Sequence, residues 1–357
     1  MAGGGTGGHI FPALAIANAL KRKEPDMDIL FVGANGKMEM QKIPEAGYPI
    51  QGIDIAGYNR SSWIKNISLP YKLIKSFLQV KAIFKSFQPQ AAIGVGGYST
   101  FPVLRYAQAR GIPSFIHESN SHAGKSNQLL GKKATRIFTA SDNMEKFFPP
   151  AALIYTGNPV RKQVVANKLS REEGLAFFDL DSRYTTVLVT GGSLGARSMN
   201  EAILSGIPVL IKNHIQLIWQ TGKSFAAQAA AQAVESKFIW TSEFISAMDY
   251  AYAAADIVVS RSGSVLYELC AVKKPVIFIP YPHAAEDHQS VNAENLVKKH
   301  AAIMIKDKDA GEKLVREIIN LVNNKAEQEI LKENIGKMAI TDADEKIATE
   351  ILKILND

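Results

Sequence analysis

Short apolar runs alternate with helix-length segments of 3.6-residue periodicity along most of the chain. The first set is DILFVG (28–33), AAIGVGG (91–97), PSFIHES (113–119), RIFTAS (136–141) and ALIYTGNP (152–159). The rhythm restarts with TTVLVTGG (185–192), IQLIWQTG (215–222), KFIWTS (237–242), DIVVSRSG (256–263) and PVIFIPY (275–281). Buried strands that alternate with amphipathic helices predict βαβ winding and parallel sheets. The chain therefore reads as α/β, with two doubly wound domains joined near Asn158 to Arg161. The expected boundaries are 1–160 for the first domain and 161–339 for the second. The tail DADEKIATEILKILND predicts one amphipathic closing helix over about 340–357 that rejoins the first domain.

Composition adds a class and a charge pattern. The chain is 46% apolar and 21% charged, as in globular proteins, and no run reads as a membrane span or a cleavable leader. The single cysteine, Cys270, excludes an internal disulfide framework and suits a reducing compartment, so the cytoplasm is the expected location. The net charge of +7 is concentrated in residues 1–160, which hold 18 Lys/Arg against 9 Asp/Glu. Between Asp54 and Glu118 there is no acidic residue, while Arg60, Lys65, Lys72, Lys75, Lys81, Lys85, Arg105 and Arg110 accumulate. Such a field attracts phosphate groups. Nucleic acid is not expected as the partner, because no recognition motif accompanies the charge.

Three glycine-rich loops fall at strand-to-helix junctions: GGGTGGH (3–9), GVGGYSTFP (94–102) and GGSLGARSMN (191–200). Glycine lets backbone N–H groups approach an oxyanion, and the helix behind adds its dipole. Gly3, Gly5 and Gly8 also satisfy a dinucleotide fingerprint, but LFVGANGK lacks the acidic residue that would hold a ribose. The polar clusters HESN (117–120), GNPVR (157–161), SRSGSVLYE (260–268) and PHAAEDHQSVNAENL (282–296) again follow apolar runs. They belong at the carboxyl edges of the sheets, where open α/β folds bind ligands.

Together these residues resemble the MurG family. The resemblance rests on Gly-Gly-Thr-Gly-Gly-His with Phe11-Pro12, the Gly-Gly-Tyr loop, His117-Glu118-Ser119-Asn120, Gly157-Asn158-Pro159-Val160-Arg161, the Gly-Gly-Ser loop, and Asp287-His288-Gln289 with Asn292-Ala293. It covers nearly the whole chain, in order. It implies a GT-B architecture, two Rossmann-like domains facing a cleft. It also implies an inverting transfer of N-acetylglucosamine from UDP-N-acetylglucosamine to lipid I, giving a β-1,4 bond and lipid II. The alternatives are another UDP-sugar GT-B enzyme, either transferase or epimerase, and an inactive membrane-associated homologue.

Residue by residue, the resemblance implies a donor site of Ser193 for the diphosphate, Glu268 for the ribose hydroxyls, and His288 with Gln289 for the sugar. Ile245 would meet the uracil through its backbone, and Arg161 would lie near the nucleotide. The acceptor diphosphate would lie on Thr6, Gly7, Gly8, Gly96, Gly97 and Tyr98. His9, just beyond the first loop, is the expected general base, with a capping or diphosphate-binding role as its competing reading. Asn120 would position a substrate hydroxyl or support the base. No cofactor is implied, and the scattered histidines offer no metal cluster, so turnover is expected not to depend strictly on a divalent ion.

The segment WIKNISLPYKLIKSFLQVKAIFKSF (63–87) interleaves Trp63, Ile64, Leu69, Leu73, Phe77 and Phe84 with five lysines. That composition suits a peripheral surface on anionic lipid, expected at the cytoplasmic face of the bacterial inner membrane; for any one apolar residue, a core-facing position competes. Two features depart from the family pattern. No apolar strand precedes Gly3, so a central strand of the first domain is expected to be missing, and the segment between Arg261 and Glu268 is one residue shorter. Oligomeric state is not legible.

Overall fold

The computed structural model describes residues 1–57, 69–166, 168–192, 195–234, 236–284 and 287–356. The chain divides into two compact units, Met1–Val160 with Asp342–Asp357, and Arg161–Thr341.

The first unit runs α1 (Gly7–Lys23), β1 (Phe31–Ala34), α2 (Glu39–Glu45), β2 (Ile50–Ile53), α3 (Leu69–Phe87), β3 (Ala92–Gly94), α4 (Thr100–Ala109), β4 (Ser114–Glu118), α5 (Lys125–Gly131), β5 (Arg136–Thr139) and β6 (Leu153–Tyr155). The α15 helix (Ala343–Asn356) closes it. Strands β3, β4, β5 and β6 form one parallel ladder and β1 with β2 another.

Met1 and Ala2 lie between these ladders. Ala2, fully buried, bridges Val32 on one side and Gly94 on the other, both in parallel. The Ala2 N–H donates to Ile93 O (2.7 Å), the Val95 N–H donates to Ala2 O (2.9 Å), and the Val32 N–H donates to Met1 O (2.8 Å). These two residues thus supply the ladder bonds that aim the glycine loop. An apolar cavity of about 30 Å³ lies between Met1, Leu30, Ile83, Phe84, Phe87 and Ala92. The Met1 amino group donates to Leu30 O (2.6 Å), and burial pulls its pKa down to about 5.

On one sheet face, Ile10, Ala13, Ile16, Ala17 and Leu20 of α1 pack with Phe31, Phe115, Phe138 and with Ile347 and Ile351 of α15. Small residues on α1 allow this close approach, and Arg22 ties it to α15 through Asp344 and Glu345. The other face carries α3, α4 and α5 around Val80, Ile83, Leu104, Ile116 and Leu130.

The second unit comprises α6 (Lys162–Val165), α7 (Arg171–Phe177), β7 (Thr185–Thr190), α8 (Arg197–Lys212), β8 (Ile215–Gln220), α9 (Ala226–Ala233), β9 (Ile239–Ser242), α10 (Met248–Ala254), β10 (Ile257–Ser260), α11 (Val265–Val272), β11 (Val276–Phe278), α12 (His288–Val297), β12 (Ile303–Met304), α13 (Ala310–Asn323) and α14 (Lys325–Gly336). Its six parallel strands lie in the order β12-β11-β10-β7-β8-β9. Central strands such as TTVLVT are buried on both faces, which explains their near-continuous apolar reading.

Candidate active site

In the first unit the glycine loop is shaped by a carboxylate. Glu39, 1% exposed, accepts from the Gly5 N–H (2.7 Å) and the Ala34 N–H (3.0 Å). Gly5 has φ +88, a conformation that glycine adopts without steric cost. Its N–H is therefore committed to Glu39, and the anion-binding capacity of the loop lies further on. The first backbone bonds of α1 run from His9 and Ile10 back to Thr6 O, so Gly7 and Gly8 present N–H groups ahead of them. Thr6 makes no side-chain cap, and the first turn holds no acidic residue. An uncapped helix start of this kind favours an anion.

The second loop presses against the first. The Gly4 N–H donates to Gly96 O (3.2 Å), and Gly96 and Gly97 both have positive φ, +102 and +88. The His9 ring lies on Gly96, where a Cβ would stand 2.6 Å from His9 Cδ2. His9 Nδ1 lies 3.0 Å from Gly4 O. A carbonyl oxygen only accepts, so Nδ1 carries a proton, and in the neutral ring Nε2 then holds the lone pair a base requires. Gly94, by contrast, is a packing glycine: a Cβ there would collide with Thr100 and Leu104. Tyr98 is half exposed, with its ring over Gly57.

Asn120 is held by the neighbouring carboxylate. Glu118, 3% exposed, accepts from the Asn120 N–H and Nδ2 (both 3.0 Å), the Gly124 N–H (3.1 Å) and Asn127 Nδ2 (2.8 Å). Four donors on one buried carboxylate fix the loop after β4. Asn120 and His9 both follow carboxyl ends of strand positions in this sheet, with no hydrogen bond between them. His117 is fully enclosed, and neither ring nitrogen has a hydrogen bond of good geometry. Burial drives its pKa down to about 4, with the Gly157 backbone opposing and His9 adding to the shift.

In the second unit Ser193 lies outside the described residues. Beside it, Gly192 and Gly195 take φ +80 and +77, and a Cβ on Gly195 would strike Thr221 O. Gln220 straps this loop through Nε2 to Gly192 O (3.0 Å) and accepts the Ile245 N–H on Oε1 (2.9 Å). The Ile245 N–H is thus committed to Gln220.

Glu268 and Arg161 are brought together as a bidentate pair, Nε to Oε1 and Nη2 to Oε2 both at 2.7 Å. The Tyr252 hydroxyl, buried, donates to Oε2 at 3.1 Å. Burial works against the Arg161 charge, but Glu268 beside it raises the guanidinium pKa; burial pushes the Tyr252 phenol well up. Gln289 accepts the Tyr281 N–H on Oε1 (2.9 Å), and its Nε2 lies over Gly263. Its amide therefore offers a donor beside Gly263 in the RSGS segment (261–264). His288 opens α12, preceded by Asp287 at φ +53. Arg261, 9% exposed, donates to Ile279 O (2.9 Å) and Pro280 O (3.0 Å) and pairs with Asp307, fixing the chain that leads to Tyr281. Among the described residues no group of three or more His, Cys, Asp or Glu side chains is placed to hold a metal ion.

Comparison with known proteins agrees with these two halves. The model of the glycosyltransferase family 28 N-terminal domain matches residues 1–139, and that of the C-terminal domain residues 186–347. A relative from Phocaeicola vulgatus is 48% identical over 99% of this chain and 95% of its own. Its name is UDP-N-acetylglucosamine--N-acetylmuramyl-(pentapeptide) pyrophosphoryl-undecaprenol N-acetylglucosamine transferase. The chain belongs to the MurG family. A Bacteroides fragilis protein of the same name is 46% identical over 99% of this chain and 94% of its own. Among solved structures, the Acinetobacter baumannii MurG superposes with a TM-score of 0.75 at 25% identity, covering 99% of this chain and 98% of that one. The MurG fold, parallel-sheet α/β in two domains, is therefore that of this chain.

Glu39, Glu118, Tyr252 and Arg261 were not singled out as site residues from sequence. Glu118 stood inside the HESN motif, and Arg261 opened the RSGS segment. Glu39 and Tyr252 carry no local signal, because their importance lies in contacts 34 and 16 residues away.

Proposed function

We propose that this chain transfers N-acetylglucosamine from UDP-N-acetylglucosamine to lipid I, forming lipid II in peptidoglycan synthesis. Its membership of the MurG family, at 48% identity across nearly the whole length of a relative so named, carries the reading. In this account His9 Nε2 accepts the proton of the attacking acceptor hydroxyl as that oxygen bonds to the anomeric carbon. UDP leaves from the opposite face, which inverts the centre and gives the β-1,4 bond. The N–H groups of Gly7 and Gly8, with the backbone at Gly96 and Gly97, receive the acceptor diphosphate, flanked by Thr6 and Tyr98. Asn120, oriented by Glu118, positions the acceptor. The second unit binds the donor through Ser193, the Ile245 backbone, Glu268, His288 and Gln289.

The acceptor is a lipid, and α3 supplies a fitting surface. Tyr71, Ile74 and Leu78 are 67%, 64% and 63% exposed, spaced along one helix face. Helical spacing sets Lys75, Lys81 and Lys85 on that same face, while Ser76, Val80 and Ile83 turn inward. Phe77 and Phe84 pack on Phe101 and Tyr106 and are excluded from this surface. Trp63, Ile64 and Lys65 lie outside the described residues. Lys75 pairs with Asp54 (2.7 Å), so Lys81 and Lys85 are the lysines that act on anionic lipid here, contributing up to about 2 kcal/mol toward reversible docking. Among the described residues no helix is long and apolar enough to cross a membrane. The protein docks peripherally on the cytoplasmic face of the inner membrane.

UDP release with and without a short-chain lipid I analogue tests the proposal. Release only with acceptor supports it; conversion of UDP-N-acetylglucosamine without acceptor would point to an epimerase instead.

A further inference from the structure

A single peptide group, Gly4–Gly5, separates the buried carboxylate of Glu39 from the imidazole of His9. Glu39 opens α2 just after β1 and is 1% exposed. Each of its carboxylate oxygens takes one backbone N–H, Gly5 on Oε2 (2.7 Å) and Ala34 on Oε1 (3.0 Å). Two glycines make way for the side chain. A Cβ on Gly33 would stand 2.6 Å from Glu39 Cγ, and a Cβ on Gly4 would run into its carboxyl group. The carboxylate is therefore wedged against the Gly4–Gly5 peptide. The other side of that peptide faces His9, whose Nδ1 lies 3.0 Å from Gly4 O. One amide plane thus joins a buried carboxylate to the ring.

We infer that Glu39 is a positioning residue for His9, acting through the Gly4–Gly5 peptide. The inference rests on the reading of His9 as the general base. With its N–H held by Glu39, the peptide is kept from turning. Its carbonyl stays aimed at Nδ1, which leaves Nε2 of the neutral ring for the acceptor hydroxyl. Hydrogen bonds in series polarise one another, so a carboxylate on the N–H makes the carbonyl across the amide a stronger acceptor. That gain is largest when His9 takes the hydroxyl proton on Nε2 and becomes an imidazolium that still donates from Nδ1. No proton passes along the relay: one stays on Nδ1 and one on the Gly5 nitrogen. The carboxylate stabilises the developing charge as the acid of a hydrolase triad does, one peptide removed. A glutamine of the same shape would set an NH₂ group against one of the two N–H groups and bring no charge.

A double-mutant cycle tests the relay. Transfer from UDP-N-acetylglucosamine to a short-chain lipid I analogue is followed in single turnovers, so that the residual rate of His9→Ala is measurable. Glu39→Gln is expected to lower the rate at saturating acceptor at least about tenfold, a share of the ~10²- to 10⁴-fold that a general base supplies. The acceptor concentration for half the maximal rate should change less than about threefold. In the His9→Ala background the same substitution is expected to cost less than about twofold, because the residue it acts through is gone. Losses that multiply in the double variant would overturn the relay. So would a raised half-saturation at an unchanged rate, the mark of a residue that only shapes the diphosphate cradle. A His9→Ala protein with the wild-type rate would refute the reading of His9 as base and the relay with it, an outcome distinct from multiplying losses. Where Glu39→Gln does not fold, the wild-type protein decides. Nitrogen NMR is expected to show the neutral His9 ring protonated on Nδ1 and the Gly5 amide protected from hydrogen exchange. A ring protonated on Nε2, or a Gly5 amide that exchanges like an open loop, overturns the inference.

Discussion

Gly96→Ala isolates the contact between the two glycine loops. Gly96 has φ +102, outside the range comfortable for an L side chain, and that strain costs about 1–3 kcal/mol. The new methyl would stand 2.6 Å from His9 Cδ2 and 2.7 Å from Nε2, so the imidazole must swing away. In doing so it gives up the bond to Gly4 O, worth about 0.5–1.5 kcal/mol net. The summed loss of about 2–4 kcal/mol leaves a folded protein with a melting transition lowered by roughly 5–15 °C. If His9 is the base, its displacement removes general base catalysis, and kcat falls about 10²- to 10⁴-fold. Donor affinity is expected to persist, because the altered residues all lie in the first unit. Scanning calorimetry, acceptor-dependent UDP release and donor titration read the three quantities. A Gly96→Ala protein with lowered melting temperature but wild-type kcat would refute the assignment of His9. The matched Gly97→Ala variant should behave differently: its Cβ meets Gly4 O, a backbone atom that cannot turn aside, so instability dominates.

Three further outcomes follow from named contacts. Glu118→Ala removes the acceptor of four hydrogen bonds in a buried loop and is expected to cost about 3–5 kcal/mol in urea unfolding while lowering kcat through Asn120. His117 is held neutral to about pH 4, whereas it titrates near 6.5 when unfolded. The unfolded chain therefore binds more protons below pH 6.5, and about 3 kcal/mol of stability is lost as the pH falls from 6.5 to 4. His117→Gln should flatten that part of the stability profile. Ile74→Glu with Leu78→Glu, both on the exposed face of α3, should weaken sedimentation with anionic vesicles more than tenfold and leave the unfolding transition nearly unchanged.

The strands were legible wherever burial on both faces makes a continuous apolar run, as in TTVLVT and IQLIWQ, which became β7 and β8 within two residues of their expected ends. Two strands were not. The sequence IQGI of β2 is half exposed at the edge of its ladder, and β12 is only Ile303 and Met304. The ladder bonds of Met1 and Ala2 were not legible, because two residues carry no periodicity. His9, Asn120 and Gln289 were candidates because motifs carry them, and the structure shows the contacts each makes. Their supports were not legible: Glu39 reads as a helix glutamate, and only the fold turns it under the glycine loop. The occupation of Glu268 by Arg161, 107 residues away, is likewise a product of tertiary structure.

The most direct test of the account is UDP release from UDP-N-acetylglucosamine by this chain and by His9→Ala, each with and without a short-chain lipid I analogue. The account predicts release only when the acceptor is present, lost in His9→Ala while donor binding persists. Release that is indifferent to the acceptor, or absent from a folded wild-type chain that binds both ligands, would contradict it.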